Sequence, residues 1–406
     1  MLRCYRFRVY PTRRERRDLN MQMLLAKELY NLILEKAKCH YKETGKTFTR
    51  NMMNIWITDL KKEKPEFNKV YSQVLQNVAD RVAKAYLNFF RRVNQKKSGM
   101  KIKAGFPRSR KFVQSLTYPQ FGFAVIQERK RIELSTIGRI PTVFDRKIRG
   151  SAKTLTIKKA RSGEWYASVL VSIEDNEFVS NKKGPIGIDL GLESYATLSN
   201  GEKVQNARIM DESLARLRRK HRIVSRRKKG GANRRKAVVK LARVSEHIAR
   251  QRDDSLHKLS HKLVNSYSLI AYERLNIKDM LKNRHLSRSI SDASWANFIR
   301  MVCYKAESAG CRTIGVDPRG TSKRCSRCGN EREIPLSERV YNCMKCSLSI
   351  DRDINAAINI LNRATAGHAG IYASGDTVTT AERSAANSVD EPGTIYRKRP
   401  VGNPRL

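Results

Sequence analysis

The sequence predicts a multidomain α+β protein. A small β-barrel carrying inserted helices precedes an α/β domain that carries an inserted metal-binding segment. Three observations lead to this fold class. Short β-rich runs over 115–174 follow a region of helical periodicity over 12–95. Two buried-strand patterns, GIDLG and SLIAYERLN, each carry one acid and are separated by long helical stretches. Two CxxC pairs then interrupt the α/β pattern.

The N-terminal elements have clear local signals. Residues 4–10 alternate between apolar and charged side chains, which predicts a half-buried strand. We expect this strand to join the barrel, which makes the helical region over 12–95 an insertion. A capping-box pattern from Thr12 to Glu15 starts the first helix, and Gly45 ends it. The next predicted helices cover about 50–62 and 68–94.

Two features of this half suggest contact with nucleic acid. Gln76 and Asn77 lie on the polar face of the third predicted helix, and such side chains read base edges in a groove. A merely solvated face explains them equally well. Residues 96–112 are basic with interleaved aromatics and include Arg108 and Arg110. That composition suits phosphate contact combined with base stacking.

The net charge favours a polyanionic partner. Lysine and arginine number 83 against 38 acids, a formal charge of +45. This excess is beyond what solubility requires, and nucleic acid is the natural counter-charge. No apolar run approaches the roughly 20 residues of a membrane span, and the first residues lack an apolar signal core. We therefore expect a cytoplasmic protein that binds nucleic acid and no membrane.

Basic residues are densest over 208–252, where Gly230 and Gly231 divide two long helical patterns into a hairpin. No acid occurs between Glu212 and Glu246. A charge run is usually a solvated face, but unbalanced charge of this density repels itself unless phosphates neutralise it. The candidate nucleic-acid contacts here are Arg216, Arg219, Arg222, Arg226, Arg227, Arg234 and Arg235.

The two CxxC pairs predict a metal site. CSRCG and CMKCS supply Cys325, Cys328, Cys343 and Cys346, with fourteen residues between the pairs. Two such turns present four thiolates in the tetrahedral arrangement that Zn²⁺ needs. With no fifth ligand evident, the site is expected to be closed and structural. A redox dithiol or two disulfides are the alternative, which an intracellular setting disfavours.

Three acids lie at strand ends or helix starts of the α/β region: Asp189, Glu273 and Asp353. Taken alone, Asp351 and Asp353 suit the capping of a helix start. Three such acids in one basic domain suggest a carboxylate cluster, which suits Mg²⁺ or Mn²⁺. Two such ions about 3.5–4 Å apart activate a water and stabilise the leaving oxygen of a phosphodiester. The chain has no G-x-x-x-x-G-K-[ST] phosphate loop, which disfavours ATP-driven chemistry.

The ordered motifs GIDLG, YERLN, TSKRCSRCG…CMKC and DRDINAAINI resemble the TnpB (OrfB) family of insertion-sequence proteins, compact relatives of the type V CRISPR effector nucleases. The resemblance extends over nearly the whole chain. It implies a split RNase H-like (RuvC) domain in which Asp189, Glu273 and Asp353 are catalytic and bind Mg²⁺. It also implies RNA-guided cleavage. A guide RNA from the transposon end would pair with double-stranded target DNA beside a short motif that the protein reads.

The resemblance also implies a domain scheme. Its parts are a wedge β-barrel (1–10 and 96–174), a helical recognition domain (11–95), a linker (175–183), the RuvC-like domain (184–316 and 351–365, with the hairpin 208–252), a zinc ribbon (317–350) and a tail expected to be disordered (366–406). The expected cofactors are one structural Zn²⁺ and two catalytic Mg²⁺ or Mn²⁺ ions. The expected oligomeric state is a monomer, active at the nucleoid of a prokaryotic cell.

One departure from the family pattern leaves alternatives open. Arg274 follows Glu273, where the family usually has Asp or Asn, and this would place an arginine near the metal site. A nuclease-silent RNA-guided binder would use the same RNA and channel. A transposase acting without RNA would use a similar acid triad, and a structural zinc-ribbon RNA-binding protein would need none of the acids. All three acids are present, which favours an active nuclease.

Overall fold

The computed structural model describes residues 2–173, 183–335 and 338–369. The chain divides into two compact units. The first comprises 1–182, 207–265 and 283–310, and the second comprises 183–206, 266–282 and 311–406. This division places the basic hairpin in the first unit, whereas the domain scheme assigned it to the nuclease domain. The domain boundaries stay a prediction. The predicted linker (except Lys183) and the tail beyond residue 369 lie outside the described residues.

A seven-stranded antiparallel sheet forms the centre of the first unit. Its strands are β1 (Leu2–Val9), β2 (Ser115–Tyr118), β3 (Phe123–Ile126), β4 (Arg131–Leu134), β5 (Gly138–Val143), β6 (Ser151–Lys159) and β7 (Trp165–Ser172). They are ordered β2-β6-β7-β1-β5-β4-β3. The predicted union of the N-terminal strand with the β-rich region is confirmed, because β1 pairs with both β5 and β7.

The sheet is curled rather than closed. Its edge strands, β2 and β3, are consecutive in the chain and joined only by residues 119–122. Five Cα–Cα steps reach at most about 18 Å, whereas six strand spacings of about 4.8 Å would separate the edges of a flat sheet by about 29 Å. The short connection therefore forces curvature. No pairing of β2 with β3 is seen among the described residues, so the sheet in the place of the predicted small barrel is curled and open between these two strands.

Three helices are inserted between β1 and β2, as predicted: α1 (Arg13–Thr44), α2 (Arg50–Glu63) and α3 (Ser72–Lys97). The capping box is present, since Thr12 accepts the Glu15 amide and Glu15 accepts the Thr12 amide. Gly45 ends α1 with a left-handed φ of 66°. The apolar faces of these helices share one core with the sheet, in which Phe7, Leu29 and Val78 are all buried.

The later helices are α4 (Ile209–Ser225), α5 (Ala232–Ser266), α6 (Ile277–Met280), α7 (Ser287–Ala293) and α8 (Trp295–Ala309). The basic hairpin is confirmed as α4 and α5, although α5 continues to Ser266 beyond the predicted end. The apolar spacing of residues 291–310 predicts one helix there, and this prediction is wrong. Ser294 has a φ of 52°, outside the range of a right-handed helix, and this separates α7 from α8.

A polar network anchors α5 to the curled sheet. The Tyr166 hydroxyl on β7 donates to Glu246 of α5 at 2.6 Å. Arg250, one turn further along α5, donates to both Glu246 and Glu164. Arg8 of β1 also pairs with Glu164. Because these charges are matched and hydrogen-bonded, the base of the hairpin is fixed to the sheet while its distal part projects its basic residues.

The second unit is built on a mixed five-stranded sheet. Its strands are β8 (Ile186–Leu190), β9 (Ser194–Leu198), β10 (Lys203–Gln205), β11 (Leu269–Glu273) and β12 (Arg312–Val316). They are ordered β10-β9-β8-β11-β12. β8, β11 and β12 are mutually parallel, whereas β9 is antiparallel to both of its neighbours, β8 and β10. The small hairpin of β13 (Val340–Asn342) and β14 (Ser349–Asp351) then leads into α9 (Arg352–Ala369).

α9 lies directly against β8. A Cβ added at Gly187 would lie 2.1 Å from the carbonyl oxygen of Ala357, so the absence of a side chain permits this close approach. Ile360 and Ala364 of α9 are buried with Leu269 of β11. α9 continues to Ala369, so residues 366–369, which the domain scheme placed in the tail, are helical. Among the described residues, no helix combines the length and apolar character that a membrane crossing requires.

Candidate functional site

The parallel pairing of β8 and β11 brings two of the predicted acids side by side. Tyr272 is in register with Ile188, so the next residues along the two strands are Glu273 and Asp189. Neighbouring strands are about 4.8 Å apart. Both acids therefore lie at the same end of the sheet, where the carboxyl ends of parallel strands conventionally form sites in open α/β folds.

Asp353 is brought to the same place by α9. It lies in the first turn of the helix, one turn before Ala357, which packs on Gly187. Burial, followed by the negative charges of Glu273 and Asp353, raises the pKa of Asp189 to about 7. The Arg352 guanidinium acts in the opposite direction. The structure therefore gathers three acids from separate segments closely enough for their charges to act on Asp189.

The neighbouring Asp351 has a different role from Asp353. Its carboxylate accepts the backbone amides of Asp353 at 3.0 Å and Ile354 at 3.2 Å, which is the geometry of a helix N-cap. It also forms a salt bridge with Lys203 at 2.6 Å. These contacts hold the pKa of Asp351 below its ordinary value despite the opposing effect of burial. Capping, the ordinary explanation for both acids, therefore applies to Asp351.

Glu273 is nearly inaccessible to solvent, with 9% of its surface exposed. Its carboxylate accepts a hydrogen bond from the Thr321 hydroxyl. Burial raises the pKa of Glu273, and the Thr321 hydrogen bond and the Arg363 charge oppose that rise. A buried carboxylate held by a single side-chain hydroxyl retains acceptor capacity for a cation.

Arg274 does not lie on the same face of the sheet as Glu273. A Cβ added at Gly315 of β12 would meet the Arg274 side chain at 2.9 Å and the Tyr272 ring at 3.2 Å. Successive side chains on a strand alternate between faces, so Tyr272 and Arg274 share the face opposite Glu273. The Arg274 side chain therefore packs beside Tyr272, and its approach to a metal site stays a prediction.

The four predicted cysteines converge. The Sγ atoms of Cys325, Cys328, Cys343 and Cys346 all lie within 4.8 Å of one another. Sγ of Cys325 is 3.6 Å from that of Cys346, and Sγ of Cys328 is 3.5 Å from that of Cys343. Four sulfurs at the usual Zn–S distance of about 2.3 Å would be about 3.8 Å apart. The cluster can therefore hold one tetrahedral ion such as Zn²⁺.

The two cysteine turns have the same backbone geometry. We call them the first knuckle (325–330) and the second knuckle (343–348). The amide of the fifth residue donates to the first cysteine's carbonyl at 3.0 Å in both, from Gly329 and from Ser347. The first cysteine's amide donates 2.8 Å to the sixth residue's carbonyl in both. Both fifth residues are left-handed, with φ of 73° at Gly329 and 52° at Ser347.

Three asparagines of α9 bind the start of the first knuckle and the residues that lead into it. Asn355 donates to the Arg324 carbonyl at 2.8 Å and accepts the Ser326 amide at 2.9 Å. Asn359 donates to the Thr321 carbonyl at 2.8 Å and to the Arg324 carbonyl at 2.6 Å. Asn362 makes a longer contact, at 3.5 Å, with the carbonyl of Ser326. Their spacing of four and three residues puts all three on one helix face.

The sequence interpretation missed Thr321, Asn355 and Asn359. Their signal was present in TSKRC and in the spacing of asparagines through DRDINAAINILN. Asparagine is a poor residue for a helix interior because its side chain competes for backbone hydrogen bonds. A repeated asparagine at helical spacing therefore indicates partners outside the helix.

The candidate nucleic-acid contacts of the hairpin fall into two groups. Arg234 donates to the carbonyls of Val224 at 3.0 Å and Arg227 at 3.2 Å, so it satisfies the C-terminal end of α4 and fixes the hairpin turn. The remaining candidates are exposed: Arg216, Arg219, Arg222, Arg226, Arg227 and Arg235. The second group is available for phosphate contact in a way that Arg234 is not.

The candidates in the N-terminal half are similarly divided. Gln76 and Arg108 are exposed. Asn77 accepts a hydrogen bond from Arg81 at 3.1 Å, and Arg81 in turn donates to Thr117 at 2.9 Å. The Arg110 backbone pairs with the Asn31 side chain at 2.7 and 3.1 Å. Asn77 and Arg110 thus have intramolecular partners, which indicates at least a structural contribution from each.

The fold and the site define an α+β protein with a carboxylate cluster beside a four-cysteine centre. The sequence profile of OrfB_IS605, described as a probable transposase, matches residues 168–284. A profile of the Cas12f1-like TNB domain matches residues 295–360, which include all four cysteines. The chain belongs to the TnpB (OrfB) family, as the following relatives establish.

The similarity to curated relatives covers the whole chain. A putative RNA-guided DNA endonuclease of Streptomyces pristinaespiralis is 30% identical over all of this chain and 98% of its own length. The putative RNA-guided DNA endonuclease InsQ of Escherichia coli K12 is 28% identical over 93% of this chain and 95% of its own. A CRISPR-associated endodeoxyribonuclease Cas12f1 of Sulfoacidibacillus thermotolerans is 27% identical over 54% of this chain and 56% of its own.

Proposed function

We propose that the chain is an RNA-guided DNA endonuclease that cuts target DNA by metal-dependent phosphodiester hydrolysis. The observation that carries this proposal is the convergence of Asp189, Glu273 and Asp353 in a protein of net charge +45. The names and full-length similarity of the curated relatives support the RNA-guided part. We assign the reaction to a RuvC-type site because its acids come from two parallel strands and a later helix.

The three acids suit one or two Mg²⁺ or Mn²⁺ ions. Clustered carboxylates repel one another, and this repulsion contributes to the raised pKa of Asp189. A hard divalent cation prefers oxygen ligands and would relieve that repulsion. Bound there, such ions supply an activated water and stabilise the leaving oxygen. The chain's own acids orient the ions, and Thr321 and the Asp351 cap hold Glu273 and the start of α9 in place.

The basic surface provides the complement to nucleic acid. We propose that the exposed hairpin arginines contact the phosphates of the guide RNA and of the target DNA. Gln76 and Arg108 are the exposed candidates in the first unit's helical region and in its basic segment. Base pairing with the guide would supply sequence specificity, and the protein would read only a short adjacent DNA motif. The four cysteines would bind one structural Zn²⁺, and the working form would be a monomer.

A plasmid cleavage assay tests this proposal. The protein would be purified with the RNA of its own transposon end, carrying a chosen guide, and incubated with Mg²⁺ and matched plasmid. We expect guide-dependent cutting that Asp189→Ala abolishes. The guide-directed complex should still bind the target. Equal cutting by both proteins would refute the acid assignment, and binding without cutting by either would indicate a nuclease-silent guided binder.

Asp351 and Asp353 provide a matched pair of variants. Both lie at the start of α9, but Asp351 caps the helix and Asp353 acts on Asp189. Asn retains capping ability, so Asp351→Asn should preserve cleavage. Asp353→Asn should abolish it, because an amide is a weak ligand for Mg²⁺ and lacks the charge. Equal activity of the two variants would contradict the assignment of Asp353.

The hairpin contacts are tested by salt dependence. Replacing Arg219, Arg222 and Arg226 with Gln should weaken nucleic-acid binding and reduce the slope of log affinity against log salt by roughly one unit per lost phosphate contact. Arg234→Gln is the control, because its guanidinium holds the hairpin turn. It should lower stability with a smaller change in slope. An unchanged slope in the triple variant would exclude this surface.

A further inference from the structure

We propose that the segment 321–326, which leads into the first knuckle, is a positioning element of the acid site. In this inference the Thr321 hydroxyl orients Glu273, and Asn355 and Asn359 set the spacing between that segment and α9, which carries Asp353. The four-cysteine centre would then fix the geometry of the acids as well as the fold of the ribbon. The inference rests on the proposed nuclease function, because it assigns positioning residues to that site.

The contact between Thr321 and Glu273 orients the carboxylate. Thr321 is 4% exposed and Glu273 is 9% exposed, so water has little access to the pair. The hydroxyl has a single proton, and the shorter contact assigns it to Glu273. The Pro318 carbonyl lies 3.1 Å away and shares that proton at most, so both contacts are made by one side-chain rotamer. A hydroxyl fixed in this way selects one orientation of the Glu273 carboxylate and leaves its other acceptor positions for a cation.

The asparagines join the segment 321–326 to α9. Asn359 donates to the carbonyl of Thr321 itself, so the residue that orients Glu273 is joined to α9 by one hydrogen bond. Asn359 and Asn355 share the Arg324 carbonyl, immediately before Cys325. Both asparagines are buried. Buried amides with their partners satisfied allow little displacement, because losing a partner leaves a desolvated polar group.

The segment 321–326 links the two elements that carry Asp353 and Glu273. α9 carries Asp353 in its first turn and the asparagines in the next two turns. β11 carries Glu273, and the segment 321–326 contacts both elements. The side-chain hydrogen bonds of the three asparagines all end on this segment, at Thr321, Arg324 and Ser326. A purely structural metal ribbon needs no contact with an acid of the sheet, whereas a positioning element does.

The test compares Thr321→Val with Thr321→Ser and with a matched control, Thr365→Val. Val removes the hydroxyl while keeping the shape, and Ser restores the hydroxyl. Thr365 lies on α9, but its hydroxyl bonds only to carbonyls of its own helix, Leu361 and Asn362. Each variant would be prepared as the full chain with its guide RNA. Single-turnover cleavage, the Mg²⁺ concentration for half-maximal rate, target binding without added Mg²⁺ and zinc content would be measured.

We expect Thr321→Val to cut roughly 10–100-fold more slowly, the range seen when partners that orient metal ligands are removed. It should also require more Mg²⁺, with unchanged target binding and zinc content. Thr321→Ser should restore most of the rate, and Thr365→Val should behave as the unmodified protein. The inference is overturned if Thr321→Val cuts as fast as Thr365→Val, or if Ser fails to rescue. It is also overturned if zinc or target binding is lost with the rate, since the role is then structural.

Asp189→Ala, assayed in parallel, separates this inference from the function beneath it. If Asp189→Ala is inactive while Thr321→Val is fully active, only the positioning inference fails. If Asp189→Ala cuts normally, the proposed acid site is wrong and the positioning inference is overturned with it.

Discussion

The four-cysteine centre and the acid cluster are two sites of different construction within one unit. The cysteines come from two local turns with the same hydrogen bonds, and their Sγ atoms lie within 4.8 Å of one another. The acids come from β8, β11 and α9, and Asp189 is 164 positions from Asp353 in the sequence. No carboxylate group as tightly gathered as the cysteines occurs among the described residues.

Electrostatic repulsion explains the difference in spacing. Thiols are neutral until they are deprotonated on binding a metal, so they can be held in contact. Carboxylates are ordinarily charged, and at short range like charges raise each other's pKa or move apart. The cysteine centre therefore depends on local backbone geometry, whereas the acid cluster depends on sheet register and on helix packing. Segment 321–326 is where the two sites meet.

The largest expected effect comes from breaking the cysteine centre. Cys325→Ser should lower zinc content from one ion per chain toward none and unfold the ribbon locally, because metal binding and folding are coupled in such sites. Thermal unfolding and metal analysis would measure this, with the exposed Cys39→Ser as control. Unchanged zinc content and melting would refute a structural metal. Cleavage should also fall, and normal cleavage would show that the two sites are independent.

The next-largest effect is expected where α9 contacts the segment 321–326. Asn359→Ala removes a buried hydrogen bond to the Thr321 carbonyl and a half-buried one to the Arg324 carbonyl, and should cost about 2–4 kcal/mol in the free energy of unfolding. Asn362→Ala removes one long, exposed contact and should change it by less than about 0.5 kcal/mol. Urea unfolding followed by circular dichroism would compare them. Similar losses in both variants would mean that Asn359 does not hold the knuckle.

The acid cluster has its own pH signature without divalent ions. The folded-state pKa of Asp189, about 7, lies above the unfolded value near 3.8. The unfolded chain therefore binds fewer protons between these values, and the contribution of Asp189 to stability is lost as pH rises from about 4 through 7. At about 1.4 kcal/mol per pKa unit, this amounts to a few kcal/mol at most.

Asp189→Asn cannot titrate, so its stability should fall less between pH 5 and pH 8 than that of the unmodified protein. Denaturant unfolding of the zinc-loaded protein without added Mg²⁺, at both pH values, would show this. Mg²⁺ should reduce the pH dependence of the unmodified protein and leave the variant unchanged. Identical pH dependence of the two proteins without added Mg²⁺ would mean that the charged form of the Asp189 carboxyl is not destabilised by its surroundings.

The smallest effect compares the two knuckles. Ser347 has the left-handed backbone that Gly329 has at the equivalent position, and non-glycine residues are strained there. Ser347→Gly should therefore stabilise the ribbon by about 1 kcal/mol, and Gly329→Ala should destabilise it by a similar amount. A Cβ at Gly329 would also lie 3.2 Å from the Arg324 guanidinium. Opposite signs in chelator-challenge and melting experiments would support the equivalence, and equal signs would contradict it.

Several parts of the fold follow from short-range signals. The capping box before α1, the glycine after it and the CxxC spacing were each readable, because each depends on a few adjacent residues. The break at Ser294 was not, because a serine carries no signal for left-handed backbone. The open edge between β2 and β3 was not readable either, because the pattern of a strand does not indicate whether the two edge strands of a sheet pair with each other.

Within the site, the sequence by itself determined the types of residue: three acids, four cysteines and an excess of basic charge. It also determined the local turns that prepare the cysteines for a metal. Only the tertiary structure decided which acid caps α9 and which acts on Asp189, and that Arg274 packs with Tyr272 beside Gly315. It alone decided that asparagines of α9 hold the first knuckle. The reason is that side-chain chemistry and nearest-neighbour geometry are local, whereas strand register and helix packing depend on residues far apart in the chain.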